Sequence, residues 1–136
     1  MTGIGWILYV ASWFFPVEKH GVILSQGKLP GWEAFLIVLS QEGVVNATLA
    51  TRVWMVLSAL TNFVMLSSLA ILGTKTGEFG RAFTGLLVLA GILNTGWFTL
   101  FGDNRTDLRA GYYLWCLSFF VIAVGCFLKN RRVHEI

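Results

Sequence analysis

Two asparagines stand inside long apolar runs of this chain, Asn62 within Val53–Thr74 and Asn94 within Ala82–Gly102. A primary amide carries two N–H donors and one carbonyl acceptor, and it does not titrate. In apolar surroundings its chemistry is hydrogen bonding, either to a neighbouring helix as glue or to a polar ligand. Helix rise sets the two amides at different depths, so they are expected to bond different neighbours, with a carbonyl or a serine in reach of Asn62. Around them the aromatic residues are unevenly spread. Trp13, Trp32, Trp54, Trp97 and Trp115, with Tyr112, Tyr113, Phe98 and Phe101, map to one end of the apolar runs, and Trp6 maps to the other. Arg52, Asp103, Arg105, Asp107 and Arg109 share the aromatic-rich level. The plainer reading is an aromatic belt at a membrane boundary. The sharper one is an outward aromatic surface or cleft that grips lipid, a hydrophobic ligand or another protein's helix, with Arg52 as an anion contact. The candidate binding residues are therefore Arg52, Asn62, Asn94, Trp97, Asp103, Arg105 and Trp115.

Other chemistry is sparse. The four longest charge-free runs hold no Asp, Glu, Lys or His. Proton-coupled carriers usually keep an ionisable group at membrane depth, so a small multidrug antiporter is disfavoured. His20 and His134 lie outside those runs, which removes a bis-histidine haem and makes a poor metal site. Cys116 and Cys126 would stand about 15 Å apart along one helix, too far for an intrahelical disulfide. No C-x-x-C, Ser-His-Asp set, carboxylate pair within the apolar runs or phosphate-binding glycine loop is present. No catalytic residue, cofactor or metal is assigned, and no enzyme activity is expected.

The elements that would carry these side chains follow from the charge spacing. Apolar residues make up 56% of the chain and charged residues 12%, with a mean hydropathy of +0.71. That is more apolar surface than 136 residues can bury in water, which excludes a disordered chain, a nucleic-acid module and most small soluble enzymes. The charge-free runs are Met1–Val17, Val53–Thr74, Ala82–Gly102 and Ala110–Leu128. Each suits a crossing of about 30 Å of hydrocarbon, the first only just. The expectation is an all-α integral membrane protein, an up-down four-helix transmembrane bundle forming one domain over residues 1–136. The spans are placed at about 2–17, 50–72, 82–101 and 110–128. The first lacks a basic n-region and a small-residue cleavage site, so it reads as a retained helix closed by Pro16.

Between spans one and two, Pro30 and Gly31 open a short helix over about 31–41. Trp32, Phe35, Leu36 and Leu39 share its one face, which suits an interfacial anchor or a lid on the bundle. Gly73, Gly77 and Gly80 are expected to stop and turn the chain between spans two and three. Small residues then mark where helices approach closely. Gly111, Ser118 and Gly125 recur every seven residues, Gly5 and Ser12 repeat that spacing, and Gly91 offers a further close approach. These are read as packing seams facing the bundle axis or a second copy.

Orientation rests on a narrow bias. Five basic residues fall on each side, but the side opposite the termini carries five of the seven acids, and Lys129, Arg131 and Arg132 cluster beside a span. Both termini are placed in the cytoplasm, with dual topology left open. Location in a bacterial inner membrane is expected, with lipid and either another membrane protein or further copies as partners, and no nucleic acid. The functional expectation is a non-catalytic interaction or assembly subunit of a larger membrane complex. The alternatives are an immunity-type protein against a membrane-targeted toxin, and an oligomeric transporter or channel for a small solute or lipid.

Overall fold

The computed structural model describes residues 1–18, 29–40, 48–72, 77–100 and 108–134. They form an all-helical fold with one short antiparallel β pair. The elements in order are α1 (Thr2–Phe14), β1 (Pro16–Glu18), β2 (Leu29–Pro30), α2 (Gly31–Ser40), α3 (Leu49–Leu72), α4 (Gly77–Thr95), α5 (Trp97–Leu100) and α6 (Ala110–His134). Two stretches, Leu49–Ile71 and Ala110–Arg131, are long and apolar enough to cross a membrane; Thr2–Phe14 and Phe79–Thr95 are apolar but shorter.

The element ends have local causes. Helix α1 stops at Phe14, short of the expected 17, because Phe15 precedes a proline and sits in extended backbone at φ −83°, ψ 148°. The chain after it pairs Pro16 with Pro30 and Glu18 with Leu29. The outer side of β1 is tied to the start of α6 by the Arg109 N–H, which donates to the Val17 carbonyl at 2.9 Å. Thr48 caps α3, its hydroxyl accepting from the Thr51 N–H at 3.2 Å.

Three further boundaries differ from expectation. Gly77 and Gly80 lie inside the first turn of α4 instead of before it, where a glycine costs less than in a helix interior. The third apolar run is broken at Gly96, whose N–H turns to the Leu93 carbonyl at 3.1 Å in a tighter turn. The break is packed, since a Cβ on Gly96 would strike the Trp54 ring. Finally, α6 continues past Leu128 to His134, and its basic last turns complement the negative end of the helix dipole.

Helix α6 is the hub. It runs antiparallel to α1, with Gly111 against the Phe15 and Pro16 carbonyls, Gly5 against Ile122, and Gly125 against Thr2. It also runs antiparallel to α4, where Gly91 lies under the Phe120 ring. The shared core draws Tyr9 from α1, Met65 from α3, Phe83, Leu87 and Ala90 from α4, and Phe119, Ile122, Ala123 and Cys126 from α6. Ser12 and Ser118 are buried as well. Each returns its hydroxyl to its own helix at 2.6 Å, Ser12 to the Tyr9 carbonyl and Ser118 to that of Trp115. Helix α3 packs against α4 and α2. A chain of edge-on and tilted ring contacts, Trp6–Tyr9–Trp13–Phe35 at 5.3, 5.9 and 5.2 Å, runs up α1 and onto α2.

Candidate functional site

Ser58, Thr61 and Asn62 occupy one face of α3 at helical spacing, and all three are buried. They are the root of a polar network that reaches every long helix.

The first node is Asn62. Its Oδ1 accepts from the Tyr9 hydroxyl of α1 at 3.0 Å and from the Trp115 Nε1–H of α6 at 3.1 Å. An indole N–H only donates, so the amide must turn its oxygen toward Trp115. Its Nδ2 is then free to donate to the Ala59 carbonyl at 3.1 Å. The second node is Asn94 of α4, fully buried. Its Oδ1 accepts from the Ser58 hydroxyl at 2.9 Å and its Nδ2 donates to the Thr61 hydroxyl at 2.9 Å. The Trp97 Nε1–H of α5 donates to the Ser58 oxygen at 2.7 Å. Thr61 passes its own proton to the Ser58 carbonyl at 2.6 Å, and the Tyr112 hydroxyl of α6 donates to the Asn94 carbonyl at 3.1 Å.

The two nodes bond different side chains, yet one turn of α3 joins them. Four residues singled out as binding candidates, Asn62, Asn94, Trp97 and Trp115, thus come together in one network. Trp97 and Trp115 aim their indole N–H groups inward, at the buried Ser58 and Asn62. Arg52 is half-buried in the first turn of α3. Asp103 and Arg105 lie outside the described residues. Tyr9, Ser58, Thr61 and Tyr112 complete the network without having been put forward as site residues. The available signal was the spacing of Ser58, Thr61 and Asn62 on one helical face.

The network consists of amides, hydroxyls, phenols and indoles. It can fix helix register and rigidify a core, because each buried polar atom that loses its partner is costly. Among the described residues no group of three or more His, Cys, Asp or Glu is placed to hold a metal ion. Cys116 and Cys126 are free thiols, both buried.

One nearby hydroxyl behaves differently. Ser68 is fully buried on α3 and its Oγ has no partner. Ser68→Ala should therefore leave thermal stability unchanged or raise it slightly. Ser58→Ala strands both the Trp97 N–H and the Asn94 oxygen and should cost about 1–3 kcal/mol. Melting the two variants side by side in detergent checks this, and equal losses would contradict the assignment.

Comparison of the chain with protein-family models, with curated proteins and with solved structures finds no match in any of the three.

Proposed function

We propose that the chain is a four-helix integral membrane protein, with α1, α3, α4–α5 and α6 as its crossings, acting as a non-catalytic interaction or assembly subunit of a larger membrane complex. Two features of its surface support the membrane reading. A core helix of a soluble protein hides most of its surface, whereas 39% of the apolar window of α3 and 50% of that of α6 is buried. The remainder presents large apolar side chains at helical spacing, Val53, Leu57, Leu60 and Phe63 on α3 and Leu117, Val124 and Leu128 on α6. A monomer in water rarely exposes patches of that extent.

The observation that carries the functional reading is the internal character of the polar network. Asn62 and Asn94, together with Ser58 and Thr61, make hydrogen bonds to one another, to backbone carbonyls and to aromatic residues of the neighbouring helices. That favours a rigid scaffold over a solute path lined by the two amides. It leaves the apolar outer faces as the surface through which the protein works.

The test is mild detergent extraction of a tagged chain from its source membrane, followed by size-exclusion chromatography. A stoichiometric complex with a second membrane protein, or with further copies, is expected. A chain that elutes alone at monomer mass under several mild detergents overturns the reading. Reporter fusions at Thr76, Asn104 and Ile136 test orientation, with Thr76 and Ile136 expected on the cytoplasmic side.

A further inference from the structure

The excess positive charge of the chain lies in two segments of its sequence. The net charge is +3. The segment Lys75–Arg81 and the segment from Lys129 onward together carry five basic and two acidic residues, and the rest of the chain carries five of each. Two helix contacts bring Arg81 and Arg131 to the same end of the bundle. Gly91 of α4 meets the Phe120 ring of antiparallel α6, so Arg81, ten residues earlier in α4, lies toward the C-terminal end of α6. Gly125 of α6 meets Thr2 of α1, so the turns of α6 beyond Cys126 run past the start of α1.

That projecting end of α6 is two-sided. Ile122, Cys126 and Asn130 face inward and are buried. Val124, Phe127 and Leu128 are exposed, and the Arg131 guanidinium lies over the Phe127 ring at 5.0 Å. Exposed apolar side chains thus give way, within one turn, to an exposed cation at the same end of the bundle as the exposed Arg81. Apolar flank below and charge above is the arrangement by which basic side chains reach lipid headgroups from the edge of the hydrocarbon.

We propose that this end, with Arg81 and Arg131 as its exposed cations, is a binding surface for the headgroups of anionic phospholipids. The inference rests on the membrane reading above. Guanidinium groups pair with phosphate oxygens in a planar fork, and Phe127 holds one of them at the depth where those oxygens lie. Each basic side chain near an anionic leaflet contributes about fivefold in lipid preference, the equivalent of about 1 kcal/mol.

The full chain, reconstituted into vesicles of equal phosphatidylcholine and phosphatidylglycerol, re-extracted in neutral detergent and weighed by native mass spectrometry, provides the test. Bound phosphatidylglycerol is expected in at least about tenfold excess over phosphatidylcholine. Arg81→Gln and Arg131→Gln should each lower that excess about fivefold and together abolish it. Arg109→Gln, at the opposite end, should leave it unchanged. Equal binding of the two lipids, an excess that survives the double substitution, or an equal loss from Arg109→Gln overturns the proposal. A chain that floats with neither neutral nor anionic vesicles defeats instead the membrane reading on which the proposal stands.

Discussion

Replacing Asn62 with leucine is expected to destabilise the fold by about 2–3 kcal/mol, although the two side chains share their number of heavy atoms and their branching. The loss comes from what the substitution strands. The Tyr9 hydroxyl and the Trp115 indole N–H both end on Asn62 Oδ1, at 3.0 and 3.1 Å, and they arrive from two different helices. Tyr9 is 3% exposed, so water has no ready access to its hydroxyl. A buried donor without an acceptor costs about 1–3 kcal/mol. In a bilayer the lower part of that range applies, because the unfolded chain also finds internal partners. A second substitution separates this cause from a packing defect. Tyr9→Phe alone removes one hydrogen bond and should cost about 1 kcal/mol. In the Asn62→Leu background it removes a stranded donor, so it should cost nothing or restore stability. Reversible unfolding in mixed micelles, followed by tryptophan fluorescence, reads all four corners of the cycle. Additive losses would show that the Tyr9–Asn62 bond carries no coupling.

Gly111→Ala is the second large effect, at about 3 kcal/mol, near the top of the usual range for an overpacked contact. An added Cβ would stand 2.5 Å from the Phe15 carbonyl oxygen, 2.8 Å from that of Pro16 and 3.0 Å from the Phe15 carbonyl carbon. All three are backbone atoms, so no rotamer change relieves the clash. The segment cannot retreat easily either. Val17 is bonded to the Arg109 N–H just before α6, and Pro16 is paired with Pro30. Gly85 on α4 is the matching control, because a Cβ there meets nothing within 4 Å. Gly85→Ala should be neutral or stabilising by up to about 1 kcal/mol through helix propensity alone. Melting temperatures that shift in opposite directions for the two alanine variants are expected. A Gly111→Ala protein that melts with the parent would mean that α1 and α6 are not in the close register described.

Part of this architecture was legible in the residues themselves. Pro16 announces the end of α1, since a residue before proline leaves the helical region wherever the chain lies. The seven-residue spacing of Gly111, Ser118 and Gly125 announces a stripe of close approach on α6. The spacing does not say what approaches. In the structure two glycines of that stripe meet α1, Gly111 at its C-terminal end and Gly125 at its N-terminal end. The break at Gly96 was hidden for a related reason. Nothing local forbids a helix through it, and its packing partner is a Trp54 ring contributed by another helix.

The candidate site divides the same way. Asn62 and Asn94 could be singled out because an amide in an apolar run requires a partner, and that requirement belongs to the residue type. The identity of the partners does not. Tyr9 and Asn62 are 53 positions apart in the chain, as are Asn62 and Trp115, and their meeting depends on the register between helices. The aromatic end was visible as a composition bias, but the inward aim of Trp97 and Trp115 follows from hydroxyl and amide acceptors on α3.

By itself the sequence determined the apolar helices, the stop at Pro16, the small-residue stripes and the two amides that need company. These follow from backbone sterics, side-chain period and desolvation, which act within a few residues. The tertiary structure decided that α6 is the hub, that one turn of α3 joins both amides, and that Arg81 lies toward the C-terminal end of α6. Those outcomes depend on how side chains distant in the chain interlock, because the contact between helices sets their register and no local interaction encodes it.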